Sequence, residues 1–417
     1  MSSEWVLQKL STLGTFDRGK SKHRPRDAAH LYGGPYPFIQ TGDVTASGGR
    51  ITTYRQTYSE AGLAQSKLWP VNTLCITIAA NIAETGLLTF PACFPDSVVG
   101  FTADPKKADI RFIEYIFQAF RASVKSKAYG SVQENINLEV LRNLEFPIPS
   151  LNNQNKIADF FTLIDHRIAL LRETNTTLEA IAQALFKSWF IDFDPVHANT
   201  AALENGQAPS LPAEIQALFP ASFTDSPQGL IPEGWRIGNL SDELKISYGK
   251  NLPTTKLLDS GFPVFGGNGI IGFYSMYLYE QRQVLVACRG AASGKVNQSA
   301  PQSFVTNNSL VLESNETLPF GYLKGFMSLS DLSVHVTGSA QPQVTIDNLK
   351  GFKIMIPSLP IVRAYEIVSL KIEDRIAQNN KHAETLAELR DTLLPRLISG
   401  QLRLPEAEAE LAAVGAN

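Results

Sequence analysis

Two stretches of this chain, 208 positions apart, carry nearly the same 22-residue phrase: GSVQENINLEVLRNLEFPIPSL at 130–151 and GSAQPQVTIDNLKGFKIMIPSL at 338–359. Eight of the 22 positions are identical, where average composition gives about one or two by chance. At the same offset Asp165-His166-Arg167-Ile168-Ala169 falls on Glu373-Asp374-Arg375-Ile376-Ala377, and upstream Ala79, Ala83 and Gly86 fall on Ala287, Ala291 and Gly294. Near the start of each copy the offset becomes 230, and Trp5, Leu10, Ser11, Gly19 and Lys20 meet Trp235, Leu240, Ser241, Gly249 and Lys250. The copies therefore differ in loop length. A repeat of about 200 residues is a duplicated domain, since solenoid repeats are far shorter.

Each copy has two parts. The first is rich in Gly, Pro and short β-branched or aromatic runs, such as LCITIAA (74–80), SVVGFTA (97–103), QVLVACR (283–289) and SLVLES (309–314). These runs predict short strands between turns, with some helix such as 110–127. The second part predicts a long helix. From Ile157 the apolar positions step by four and three through Phe161, Ile164, Ile168 and Leu171, then Leu178, Leu185 and Trp189, with Asn175 and Ala182 between. That 3.5-residue spacing is a coiled-coil seam, and Asn175 within it is a candidate for fixing register. In copy two the seam holds Ile372, Ile376, Leu386, Leu393 and Leu397, with Asn379 and Arg390 in line and Pro395 expected to end or kink it. An isolated helix with an exposed seam is unstable, so the two are expected to pair with each other, antiparallel; the alternative is that each seam packs on its own globular domain.

The fold class expected is α+β: two similar, mainly β globular domains, each followed by a long helix. The divisions are 1–150, a first helix at 151–192, a linker at 193–230, a second domain at 231–357, a second helix at 358–400, and an acidic tail at 401–417. The linker contains five prolines and one weakly helical stretch, PAEIQALF.

At 417 residues the chain exceeds one ordinary core. With 44% hydrophobic and 18% charged residues it is globular rather than disordered. No apolar run approaches a membrane span, and MSSEWVLQKL lacks a signal-peptide pattern, so a cytoplasmic protein is expected. Cys75, Cys93 and Cys288 are odd in number and far apart, which argues against disulfides and a Cys-based zinc site. The six His residues show no ligand spacing, and no metal is expected. The net charge of −3 argues mildly against nucleic acid, but DRGKSKHRPR at 17–26 is a local basic patch.

Paired helices of about 36 residues would form a rod of roughly 54 Å, at 1.5 Å per residue. Two similar domains on a rod suit a ligand with two sites at fixed spacing. DNA is such a ligand, because sites about 34 Å apart share one face of the duplex. The paired GSxQ…IPSL phrases, TGDV at 41–44, LFKSWFIDFDPV at 185–196, IPEGW at 231–235 and LRDTLLPRLISGQL at 389–402 resemble the specificity subunit of type I restriction–modification enzymes. The order and duplication of these motifs carry the resemblance across essentially the whole chain.

The resemblance implies two target-recognition domains, each reading one part of a split sequence in double-stranded DNA, with the helices setting the unread gap. It implies no catalysis and no cofactor in this chain. It implies that the helices dock two methyltransferase subunits, which bind S-adenosylmethionine, and that restriction (motor) subunits using ATP and Mg join them. One departure is that Gln154, at the start of helix one, has Val362 as its counterpart.

Two motifs point elsewhere. FGGNG (265–269) fits a methyltransferase F-x-G-x-G pattern, but no Asn/Asp-Pro-Pro-aromatic motif accompanies it. Pro95-Asp96 with Asp104-Pro105-Lys106 mimics a nuclease, but Pro105 suits the required strand poorly. Both readings, a stand-alone methyltransferase or nuclease, and a tandem module binding something other than DNA, stay open as rivals.

Candidate DNA-binding residues are Arg18, Lys20, Lys22, Arg24, Arg26, Thr41, Gly42, Asp43, Ser131 and Gln133 in copy one, and Lys250, Asn268, Arg289, Ser339 and Gln341 in copy two. Gln can pair with adenine and Arg or Lys with guanine, and all can serve the backbone. Groups kept in both copies suit shared structure or backbone contact. The dissimilar stretches 44–72 and 270–283 are better candidates for reading sequence.

Overall fold

The β-branched runs form central strands whose alternate side chains feed two different cores. In the first domain Leu74 and Ile76 point into one apolar cluster and Cys75, between them, into another, as the two-residue period of a strand requires. In the second domain Val284 and Val286 face one cluster and Leu285 the other. The computed structural model describes residues 5–79, 81–129, 138–206, 211–338 and 340–415. The chain divides into two units, Met1–Arg172 with Asn380–Asn417, and Glu173–Asn379.

In the first unit a five-stranded sheet has the order Gly14–Arg18, Val98–Ala103, Leu74–Thr77, Thr85–Leu88 and Gly49–Ile51. Only the last pair is parallel. A separate antiparallel pair joins Val6–Lys9 to Glu145–Ile148, Val6 facing Ile148. The helix Ile110–Tyr129 covers the inner face of the sheet. The second unit has a four-stranded sheet, Lys245–Tyr248, Ser309–Glu313, Val284–Ala287 and Val296–Gln298. It repeats the tie between domain ends: Arg236–Asn239 pairs with Lys353–Ile356, Arg236 facing Ile356. Val6 and Arg236 are 230 apart and Ile148 and Ile356 are 208 apart, so the change of offset is absorbed inside the domain.

The long helices are Leu151–Phe190 and Leu359–Ile398, of 40 residues each. They pack antiparallel within each unit. In the first, Ile157, Phe161, Ile164 and Ile168 share a core with Ala383, Leu386, Leu393 and Leu397, and Leu171 packs at its margin. Arg390 donates to Asp165 at 2.8 Å, and the other Asp165 oxygen accepts from Tyr115 at 2.6 Å. In the second unit Phe186, Trp189 and Phe190 pack on Ile361, Val362 and Tyr365, with Leu185 at the margin, while Leu178 and Ile372 are half-buried. Asn379 donates to the Asn175 side-chain oxygen at 2.8 Å, and the Asn175 amide donates to the Ile376 backbone carbonyl at 3.4 Å. The two polar blemishes of the second seam, Asn379 and Arg390, thus each meet a partner on the first helix.

Some expectations are corrected. Pro395 lies inside its helix, which continues to Ile398. The stretch 193–230 holds a 12-residue helix, Asp194–Asn205, a short helix Ala213–Gln216, and a hairpin of Phe223–Ser226 with Gly229–Pro232. Buried Gln216 donates to the Pro195 carbonyl and to Asn199, and Phe219 packs edge-on against Trp189. The acidic tail carries a helix, Leu404–Gly415, with Ala407 fully buried.

Candidate nucleic-acid interface

The repeated Gly-Lys pairs occupy one structural position. Gly19 donates to the Val98 carbonyl and Lys20 to that of Phe94, while Gly249 donates to Ser309 and Lys250 to Val305. A Cβ on Gly19 would lie 2.3 Å from the Pro95 oxygen, and one on Gly249 would lie 2.3 Å from the Thr306 oxygen. Only glycine permits this crossing. Both lysine side chains are exposed.

Each domain then sends a strand past this crossing on the outer sheet face, away from the face that the inner helix covers. In copy one Phe38 runs parallel beside Cys93. In copy two Val264 and Phe265 run parallel beside Phe304 and Val305. Beyond this point the copies diverge. In copy one TGDVTA forms the helix Thr41–Ala46, which turns Val44 into the outer core. In copy two Phe262–Gly266 and Gly269–Tyr274 form an antiparallel hairpin closed through Gly267 and Asn268.

The structure distributes the candidate residues unevenly. In copy one Arg18, Lys20, Lys22 and Arg24 are exposed, but Arg24 donates back to the Ser21 and His23 carbonyls. Arg26 forms a forked ion pair with Asp96 at 2.9 and 3.0 Å. Asp43 closes a capping box with Gln40 and faces Arg55, so its carboxylate works within the fold. Thr41 is half-buried and Gly42 exposed on the same turn. Ser131, Gln133 and Ser339 lie outside the described residues.

In copy two the candidates converge. Asn307 donates to the Lys250 carbonyl and Cys288, next to Arg289, donates to that of Asn308. Asn308 in turn lies against Gly267 in the hairpin turn. Lys295 donates to Asn268 at 2.7 Å and Asn297 to the Gly267 carbonyl at 3.0 Å. Arg289 bridges Gln343, two residues from exposed Gln341. Lys295 and Asn297 escaped the sequence reading. Their signal was only their place just after the strand that aligns with LCITIAA.

The inner sheet face holds a titratable group. Glu114 is 3% exposed, accepts from Thr85 and Gln118, and has no partner for its second oxygen among the described residues. Burial pushes its carboxyl up to about 7. The three thiols are buried, and burial pushes each of them up. Among the described residues no cluster of His, Cys, Asp and Glu could hold a metal ion, and no helix is long and apolar enough to cross a membrane.

The sequence was compared with known proteins. A family model described as "Type I restriction modification DNA specificity domain" matches residues 2–180 and again 232–392. The type I restriction enzyme MjaIX specificity subunit of Methanocaldococcus jannaschii is 24% identical over 97% of this chain and 94% of its own length. The HindI specificity subunit of Haemophilus influenzae is 27% identical over 71% of this chain and 78% of its own. The type I restriction–modification S subunit of M. genitalium, known as a crystal structure, shares the fold, with a TM-score of 0.57 at 18% identity over 95% of this chain and 97% of that one. With both matched segments coinciding with the two sequence repeats, the chain belongs to the family of type I restriction–modification specificity subunits.

Proposed function

We propose that this chain is the DNA-reading subunit of a type I restriction–modification complex, without catalysis of its own. Each domain reads one part of a split target in double-stranded DNA, inside the cell where that DNA lies. The observation that carries the reading is the duplicated domain whose outer face changes while its scaffold stays, each copy delivering a long helix that pairs antiparallel with the other. Two heads that read different sequences need that combination. The helices dock two methyltransferase subunits, which supply S-adenosylmethionine, and restriction subunits using ATP and Mg join that core.

The test is to express the chain with its methyltransferase partner in a host free of other methylation and to sequence the DNA for modified bases. A split motif with a constant gap supports the reading. A short continuous motif, or S-adenosylmethionine binding by the isolated chain, favours a stand-alone enzyme. Absence of salt-dependent DNA affinity in the assembled complex favours a module for another ligand. Inserting four residues in both long helices, near Asn175 and Ala383, should change the gap and leave both half-sequences intact.

A further inference from the structure

We propose that the second domain reads its half of the target with the turn and outer strand of the hairpin Phe262–Tyr274, laid into the major groove, and that Ile270 and Ile271 recognise thymine methyl groups there. This rests on the DNA-reading function proposed above. Ile270 and Ile271 lie at a break in the hairpin's register, where Phe265 faces Ile270 and Val264 faces Gly272, so that Ile271 is an extra residue in the outer strand. Here Ile270 is 58% exposed and Ile271 44%. The first strand is built into the domain, Val264 and Phe265 being buried and paired with Phe304 and Val305, while the outer strand leaves both isoleucines exposed beside the turn. Two exposed isoleucines beside a turn are costly to leave in water.

Three observations choose DNA as the occupant. DNA-reading proteins place strands as well as helices in the major groove. Lys295 is bonded to Asn268 at the tip, and Lys250 and Arg289 lie on the loops that contact Gly267 and its neighbour Asn308. Apolar reading atoms thus sit beside cations suited to the flanking phosphates. The outer strand of the hairpin also stands where the other copy builds a short helix instead, which is where two heads with different targets must differ. Thymine is the base that offers a methyl group in that groove. Asn268 adds a polar group at the tip.

The experiment uses the complex assembled with its methyltransferase subunits. Once its target is mapped, each thymine is replaced by deoxyuridine, which removes only the methyl group, and the dissociation constant of each duplex is measured. At one or more thymines of one half-site the wild-type complex should weaken about fourfold, the value of burying one methyl group. The Ile270→Ser or Ile271→Ser complex should show no such penalty at that base, and should relax methylation specificity in that half alone. Both side chains are exposed, and an unchanged melting temperature checks the fold. Three outcomes overturn the proposal: no uracil penalty in either half, a penalty that the serine variants retain, or variants that lose the methyltransferase while the DNA readout persists, which would make the patch a protein-docking surface. A wild-type complex with no split motif would instead overturn the DNA-reading function itself.

Discussion

The helices that leave the two domains begin in different ways, although their last strands and the phrase IPSL are shared. At the first, Gln154 is buried; its amide donates to the carbonyls of Pro149 and Lys107, and its oxygen accepts from the Asp109 amide just before the helix Ile110–Tyr129. At the second, Val362 is fully buried in an apolar core. The job of holding the second domain's inner helix, Phe320–Leu329, passes to Glu366, one turn on, which accepts from the Gly321 amide at 2.6 Å. An amide at a helix start needs an acceptor, but the acceptor's position in sequence is free within a turn. Duplicated domains can thus keep a joint and exchange its chemistry. The outer face shows the same freedom: the scaffold strand persists while its continuation changes from helix to hairpin.

Exchanging the two joints should break this comparison most severely. Val362→Gln places an unpartnered amide in an apolar core and removes a packed side chain, a loss of about 4 kcal/mol. Gln154→Leu strands one amide and two carbonyls, at about 3 kcal/mol. Denaturant titration measures both. Near-neutral results would mean that the joints are interchangeable.

Glu114 separates the inner helices next, because its counterpart helix FGYLKGFMSL contains no acid. Burial holds its folded carboxyl at about 7 against an ordinary value of 4.5. Between those values the folded state keeps a proton that the unfolded chain releases. Stability should therefore fall as pH rises from 4.5 through 7, by up to about 3 kcal/mol, and level off above. Glu114→Gln should remove that slope. A variant with the slope of the parent protein would place the titration elsewhere.

The buried Asn pair gives a smaller effect. Asn175→Leu takes the acceptor from the Asn379 amide and Asn379→Leu takes that donor from the Asn175 side-chain oxygen; either alone should cost about 2 kcal/mol, and the double variant should recover much of it. Strict additivity in thermal melts would show that the pair is not coupled. Arg26→Ala should cost least, under about 1 kcal/mol, because its ion pair with Asp96 is half exposed. A much larger loss would mean that this basic loop is structurally necessary, unlike its open counterpart around Lys250.

The strands LCITIAA, SVVGFTA, QVLVACR and SLVLES, the duplicated helices and the seam from Ile157 to Trp189 were legible because each depends on local periodicity. The helix through Pro395 was not: a proline at the last turn removes one bond that the packed neighbours of Leu393, Leu394 and Leu397 outweigh. Nor was the order in 193–230, where Gln216 and Phe219 acquire meaning only from Pro195, Asn199 and Trp189.

By itself, the sequence determined the duplication, the α+β domains and the pairing helices, since these follow from repeats and from apolar spacing along one strand or helix face. Tertiary structure alone decided which polar residues are committed to the fold and which are free. Asp43 was claimed by its own helix cap, and Asn379 and Arg390 by partners more than 200 positions away. The isoleucines of the hairpin were left uncovered. Composition cannot separate those cases, because whether a side chain is satisfied or exposed depends on neighbours that only folding brings together.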